Sequence, residues 1–455
     1  MLDPGPEGVT LPELERLVTD GHVDMVEVAL VDMQGRLQGK RVRARHFLDR
    51  VVGGGTEAQN YLLATDVEMS TVQGYDLASW ATGYGNLVMR PDLSSLRRMP
   101  WRPRTVLVLC DVEDRDGAPL PVSPRQVLRN QLAELEARGW RANVGTELEF
   151  LVFRQTYEQA WGSGYRDLTP VSQYGIDYSL LDTRGTGGFL QALTTALDGA
   201  GVDVESLLQE ANLGQHEIVL AYADALRVCD NHALAKFGAK QVAAAYGLSL
   251  TFMAKLDSHE GNSSHVHFSL RDVDGQPVFA GAEQHGFSSV MASFLAGQLA
   301  YLPELTLLFA PNINSYKRFV EASYAPTAIS WGMDNRTCAL RVVGRGESLR
   351  FEHRLAGADV NPHLVVAAIC AAGQRGVAEQ LPLLAPMSGN AYESVTARVP
   401  GSLRTALELF RDSKVATEAF GSEVVDHYAR MAEIELEEFD RSVTDWEKFR
   451  GFERM

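Results

Sequence analysis

Apolar residues recur along this chain with two periods, and the period changes from one segment to the next. In residues 9–18 the spacing is helical, with Thr10 as a cap ahead of "LPELERLV", which predicts a short helix. Residues 23–44, "VDMVEVALVDMQGRLQGKRVRA", alternate on either side of "MQGR", the pattern of a β-hairpin. "NLVMRPD" and "TVLVLCDVED" predict further strands, whereas "VVGGGTEA" at 51–58 reads as a glycine-rich loop. It does not read as a phosphate loop, because no Gly-Lys-Ser/Thr follows it. Residues 1–110 therefore suit a small, mostly β domain. "DRDGAPLPVSPRQVL" marks a boundary, with Ser123 as N-cap and Pro124 at the first helical position; the helix it opens ends at Gly139. Residues 111–455 read as a larger α+β domain without internal repeats.

One strand breaks its own pattern. "GTELEF" at 145–150 carries Glu147 and Glu149 inside an otherwise apolar run. Side chains at i and i+2 of a strand share a face, so the two carboxylates lie side by side. Burying like charges without partners costs several kcal/mol each, so this segment needs positive charge. Other segments also bring charge forward: Glu210 before a glycine turn, Glu217 opening an apolar strand, and His265 with His267 at i and i+2. Arg318, Arg336 and Arg341 come next, then Arg350, Glu352 and Arg354 alternating in "LRFEHRL". Singly, a glutamate at a strand edge is most often solvated and a His-x-His pair most often structural. Together, at least five strands bring charge to one face, which an ordinary core does not do. Carboxylates with an imidazole or two suit Mg²⁺ or Mn²⁺ rather than zinc. Arginines suit phosphates and carboxylates, and the combination is equipment for phosphoryl transfer.

Composition narrows the setting. A chain of 455 residues is too long for one compact core, which predicts two or more domains. With 42 basic against 59 acidic side chains the net charge is −17, which argues against nucleic acid or an anionic membrane as the main partner. No uninterrupted apolar stretch reaches the ~18–20 residues of a membrane span. "MLDPGPEGVT" shows neither a basic region nor an apolar core of a secretory leader. Cys110, Cys229, Cys338 and Cys370 lack metal-type spacing, and the expected setting is a reducing cytoplasm.

In order, "GTELEF", "EANLGQHE", "SHVHFSL", "NSYKRF", "NRTCALRV" and "RFEHRLAGADVNPHL" resemble the glutamine synthetase family in its bacterial type I form. The resemblance runs over essentially the whole chain. It implies an α+β architecture: an N-terminal β-grasp domain over 1–110, then a catalytic domain over 111–455 with a curved antiparallel sheet flanked by helices. It also implies two or three Mg²⁺ or Mn²⁺ ions per site, with ATP as co-substrate. By the same resemblance Glu149, Glu210 and Glu217 hold one cation, and Glu147, His265 and Glu352 a second. His267 and Ser269 fall beside ATP. Arg318 and Arg354 hold glutamate and its acyl phosphate, while Arg336, Arg341 and Arg350 surround the transferring phosphate and nucleotide. Arg318, Arg336 and Arg354 are thus the implied catalytic residues. The implied assembly is a homo-oligomer of hexameric rings, usually stacked into a dodecamer, with each site shared between neighbouring subunits.

The sequence also departs from that family. Where its loop normally reads Leu-Val-Pro-Gly-Tyr-Glu-Ala-Pro, this chain has "FVEASYAP", and Tyr324 replaces the glutamate that helps bind ammonium. The Asp-Gly-Ser-Ser segment, whose aspartate also holds ammonium, is replaced by "YLLATDVEMS". Glu260, beside Gly261 in the implied substrate set, stands where an asparagine is usual. These changes resemble the branch that joins glutamate to organic amines, giving γ-glutamyl amides of ethanolamine, alkylamines or polyamines. The alternatives are an ordinary ammonia-using glutamine synthetase and a catalytically inactive structural or regulatory member of the fold. A metal-dependent hydrolase is opposed by the intact arginine set. Glu321 and Asp66 are candidates for the base that deprotonates the amine.

Overall fold

The computed structural model describes residues 8–181, 185–394 and 396–455. Most of the stretch read for a secretory leader, residues 1–7, lies outside them. Helix Leu11–Thr19 forms as expected, with Thr10 Oγ1 accepting from the Glu13 N–H. Strands β1 (Met25–Val31) and β2 (Leu37–Arg43) pair antiparallel. Their turn is closed by Asp32, whose Oδ1 accepts from the Gln34 and Arg36 N–H groups, and by Gly35 at φ 78°. The glycine-rich stretch is not the expected loop. Gly53 and Gly54 continue a helical segment that runs from Ala44, and Gly55, at φ 72°, ends it before strand β3 (Thr56–Gln59). A left-handed φ costs glycine nothing, so one glycine of the three acts as a stop while the other two stay helical.

Strands β4 (Asn86–Pro91), β5 (Arg97–Arg98) and β6 (Thr105–Glu113) complete the first sheet, in the order β2-β1-β6-β4-β3 with β5 on β6. β1 and β6 are parallel and the other pairs antiparallel. β6 runs across residue 110, so the chain leaves this sheet only in the turn after Glu113. Helix Pro124–Ala137 follows with Pro124 at its start, although the Ser123 side chain makes no capping bond.

The second sheet contains β7 (Trp140–Phe153), β8 (Val204–Gln209), β9 (Gln215–Asp224), β10 (Ser249–Thr251), β11 (Ser264–Asp272), β12 (Trp331–Met333), β13 (Leu340–Val343) and β14 (Arg350–His353). Its order is β12-β13-β14-β11-β7-β9-β8, with β10 on β7. It is not wholly antiparallel as expected, because β12 and β13 run parallel.

The two-residue alternation explains the faces of this sheet. Val144, Thr146, Leu148, Phe150 and Val152 of β7 are buried, as are Val266, Phe268 and Leu270 of β11. Behind it Phe268, Phe279, Phe294 and Phe351 form one aromatic group, with Phe268 stacked on Phe294 at 5.3 Å. Phe294 comes from helix Ser289–Phe309, which packs against helix Pro362–Ala378. The first of these has the length and composition of a membrane span, but 61% of the relevant window is buried inside the protein. The apolar back of the sheet leaves Glu147, Glu149, His265, His267, Arg350 and Glu352 on the other side.

Candidate functional site

Register alone assembles the front face. Glu149 pairs with Glu217 across β7 and β9, and Glu147 pairs with His265 across β7 and β11. His267 pairs with Glu352, and Glu352 in turn with Arg341. Directly opposed residues stand within side-chain reach, so four strand contacts bring seven charged or titratable groups together. Glu210, just beyond β8, completes the set: Glu149, Glu210 and Glu217 carry oxygens within 4.8 Å of one another. Glu147, Glu217 and His265 meet the same limit, as do Glu147, His267 and Glu352.

The two halves are balanced differently. His265 Nδ1 lies 2.9 Å from one Glu147 oxygen and 3.4 Å from Glu352, while His267 Nε2 is 2.8 Å from the other Glu147 oxygen. Burial alone would raise the Glu147 carboxyl, but hydrogen bonds from the two imidazoles hold it far below the usual range. On the opposite side burial, then the charge of Glu149, pushes Glu210 up to about 8. Burial with the charges of Glu147 and Glu149 pushes Glu217 up to about 10. Glu149 is held differently again: its Oε2 accepts from the Ser263 N–H at 2.8 Å and from Gln215 Nε2 at 3.1 Å, and its Oε1 accepts from the Ser263 hydroxyl. Three carboxylates packed this closely repel one another, and a divalent cation removes that cost. The donor set fits a hard cation with oxygen ligands.

The arginines form a rim. Arg341 donates through Nη1 to Glu352 at 2.9 Å and through Nε and Nη2 to Asp334. Arg350 donates from Nε to His267 Nδ1 at 3.1 Å, which fixes the His267 proton on Nε2 facing Glu147. His267 is therefore bonded into the carboxylate cluster. Ser269, two residues on, meets the Tyr222 hydroxyl at 3.3 Å. Arg354 is buried; its Nη1 donates to Glu352, its Nη2 reaches the Tyr324 carbonyl at 3.4 Å, and its Nε has no hydrogen-bond partner among the described residues. Arg318, only 3% exposed, points Nη2 at the Arg354, Leu355 and Ala356 carbonyls. Arg336 is exposed beside the cluster strands.

Tyr324 is 62% exposed and left-handed at φ 59°, as is Ala322 at φ 62° two residues earlier. Non-glycine residues are uncommon there, so the loop holds an unfavourable backbone. Gly261 sits where a Cβ would meet the Ala254 carbonyl at 2.3 Å and Arg318 Cγ at 2.8 Å, so only glycine fits. Asn212 Nδ2 donates to the Glu260 carbonyl at 2.8 Å. Neither candidate base joins the cluster within this chain: Glu321 pairs with Arg398 at 3.8 Å, and Asp66 lines a separate cavity.

Sequence reasoning missed the residues that hold the ligating groups. Gln215 lies within "EANLGQHE" and Ser263 just ahead of "SHVHFSL", but neither carries charge, so only the fold shows them on Glu149. Tyr392, whose hydroxyl donates to the Ala325 carbonyl at 3.0 Å, braces the Tyr324 loop from a segment with no sequence signal.

Comparison with known proteins places this geometry. A family model described as "Glutamine synthetase, catalytic domain" matches residues 121–450. The chain is 55% identical over 443 residues to the gamma-glutamylethanolamide synthetase GlnA4 of Streptomyces coelicolor, covering 97% of this chain and 96% of that one. It is 37% identical to the glutamate–isopropylamine ligase of a Pseudomonas species, with 94% of each covered. Among solved structures, the apo form of GmaS without ligand superposes with a TM-score of 0.84 at 26% identity, covering 98% of this chain and 100% of that one.

Proposed function

This chain belongs to the glutamine synthetase family, and from that premise we propose that it is an ATP-dependent ligase joining the side-chain carboxylate of glutamate to an organic amine. The observation that carries this reading is a face of clustered carboxylates and imidazoles with Arg341, Arg350 and Arg354 bonded to it, bordered by an exposed Tyr324 where the family's loop carries a carboxylate. Similarity to an ethanolamide synthetase and an alkylamine ligase over nearly the full chain supports it.

Glu149, Glu210 and Glu217 would hold one divalent cation, and Glu147, His265 and Glu352 another. When bound, such cations neutralise the phosphates of ATP and of the acyl phosphate. The chain's own residues do the positioning. Arg318 and Arg354 orient glutamate, and Arg336, Arg341 and Arg350 balance the charge that develops as the γ-phosphoryl group moves. The glutamate side-chain oxygen attacks that phosphorus and ADP leaves. The neutral amine nitrogen then attacks the acyl carbon, the carbon–oxygen bond to phosphate breaks, and the nitrogen gives its proton to a base. Ammonium is small and strongly hydrated, and needs closely placed acceptors to replace its water. An alkyl or hydroxyalkyl amine gains instead from apolar contact, at ~0.8 kcal/mol per buried methylene. Tyr324 offers that surface.

We also read residues 1–110, with the remainder of β6, as a β-grasp unit and the rest as the catalytic unit. Stacked hexameric rings in the cytoplasm are the assembly and setting we propose. The deciding experiment measures kcat/KM with ATP, Mg²⁺ and glutamate for ammonium, ethanolamine, short alkylamines and putrescine. One amine should exceed ammonium at least tenfold; ammonium matching every amine would mark an ordinary glutamine synthetase.

A further inference from the structure

The left-handed backbone at Ala322 and Tyr324 persists only where the surroundings hold it. Ahead of Tyr324 the hold is local, since the Ser323 hydroxyl donates to the Val320 carbonyl at 2.6 Å. Past Tyr324 it comes from a distant stretch of chain. The Tyr392 hydroxyl, on a side chain buried to 8% exposure, donates to the Ala325 carbonyl at 3.0 Å. Further along, the Ile329 and Val399 N–H groups donate to the Ala397 and Thr327 carbonyls at 2.8 and 3.1 Å. Arg398 adds bonds to Thr327 Oγ1 at 2.9 Å and to the Tyr392 carbonyl at 2.8 Å. On the cluster side Arg354 reaches the Tyr324 carbonyl while donating to Glu352. Two consecutive carbonyls of the loop are therefore gripped, one by an arginine of the charged face and one by Tyr392.

Tyr392 is itself anchored to the residues on either side of Arg336. Asn335 Nδ2 donates to the Gly389 carbonyl at 2.9 Å, and the Ala391 N–H donates to Thr337 Oγ1 at 2.9 Å. Asn390 Oδ1 then accepts from the Tyr392 N–H at 3.1 Å. A short series of bonds thus runs from the backbone around Arg336 to the carbonyl beside Tyr324. Burial raises the Tyr392 phenol, and the charges of Arg354 and Arg318 offset only part of that. The hydroxyl therefore keeps its proton and donates at neutral pH.

We propose that Tyr392 is a positioning residue for amine selection: its hydroxyl fixes the Ala325 carbonyl, and through it the pose in which Tyr324 meets the incoming amine. That the ligand is an amine rests on the ligase reading; the bonds that hold the loop do not. Because the hydroxyl is engaged by the loop, its effect reaches the substrate through Tyr324. Removing it should change how the amine binds and leave ATP and glutamate binding in place.

The test compares full-length assembled wild type with Tyr392→Phe, which removes one hydroxyl, after checking melting temperature and particle size. KM for the preferred amine should rise about fivefold, the scale of one neutral hydrogen bond, with KM for ATP and for glutamate within about twofold. In a Tyr324→Ala background the same change should move the amine KM less than about twofold, because the group it acts through is gone. Amide hydrogen exchange in the peptide spanning 320–327 should quicken about fivefold while the strands of the second sheet stay unchanged. If Tyr392→Phe does not fold, Arg398→Gln, which loses the bond to the Tyr392 carbonyl, decides by the same readouts. Unchanged exchange or an unchanged amine KM overturns the proposal. So does a rise shared by all three substrates, which marks a general loss of structure, or an effect that persists without Tyr324. A wild type that prefers ammonium, or forms no amide, removes the amine reading instead. Exchange, and KM for ammonium where there is turnover, then decide whether Tyr392 holds the loop.

Discussion

At the scale of single residues, Glu149 and Tyr324 separate the two halves of the proposed chemistry. Glu149 shares its surroundings with Glu210 and Glu217 and is already fixed by Ser263 and Gln215. Glu149→Ala should therefore remove at least 99% of amide formation while the melting temperature stays within a few degrees, because a lost ligand costs metal affinity and phosphate geometry. Activity within threefold of wild type at saturating Mg²⁺ would refute the assignment. Tyr324→Glu restores the carboxylate that the family's loop carries. It should raise kcat/KM for ammonium relative to the preferred amine by about tenfold, the scale of ~1.4 kcal/mol. An unchanged ratio would show that amine choice lies elsewhere. Tyr324 was legible from its place in a motif, whereas its exposure and left-handed backbone were not.

At the scale of elements, strand register builds the site and one buried arginine ties the elements behind it. Arg125, 1% exposed, sits in helix Pro124–Ala137 and bonds Asp230 through Nε and Nη2 at 2.9 and 2.8 Å. It also contacts Asp92 and Asp111 of the first sheet and its flanking turn. His363 adds a bond to Asp230 at 2.9 Å, joining a third helix. Although burial alone would raise it, Arg125 and His363 hold the Asp230 carboxyl well below the ordinary aspartate range. Removing one member of such a group leaves a buried charge uncompensated, so Arg125→Met should destabilise by about 3–5 kcal/mol. Urea unfolding measures this, and a loss under 1 kcal/mol would show that the network relaxes. The helix here was predicted from Ser123 and Pro124; its buried arginine was not, because "RQVLRNQ" gives no sign of which charge faces inward.

At the scale of the whole molecule, acid stability depends on imidazoles buried as neutral rings. Burial lowers His427 from 6.5 to about 4 and, with the charge of His265, His353 to about 3. Above pH 6.5 the His427 ring is neutral in both folded and unfolded chains and contributes no pH dependence. Between pH 6.5 and 4 the unfolded chain takes up a proton that the folded one refuses, so stability falls by roughly 3 kcal/mol for this residue. His427→Phe should reduce that slope by about one proton, measured by urea unfolding at several pH values; a slope identical to wild type would contradict the burial argument. Assembly belongs to the same scale. Static light scattering with parallel assays should find activity only in a large oligomer, and a fully active monomer would refute the shared site.

The order of motifs in the sequence determined the family, the cation-ligand candidates and the departure at Tyr324. Residue type and two-residue alternation carry that information directly. The tertiary structure decided what depends on distant segments meeting. Glu149 faces Glu217, and Glu147 faces His265, only because β7 pairs with β9 on one side and β11 on the other. The pairing of β7 with β11 also brought His267 to the cluster, and the short helix Ile313–Arg318 set Arg318 on the backbone carbonyls of Arg354, Leu355 and Ala356. Beside the first sheet, the glycines at 53 and 54 are helical because their backbone follows the segment before them, and of the three only Gly55 takes the left-handed turn. A strand reveals from its own sequence which side chains share a face. Which partners stand opposite is set by register, and register is set by the packing of the whole sheet against its helices.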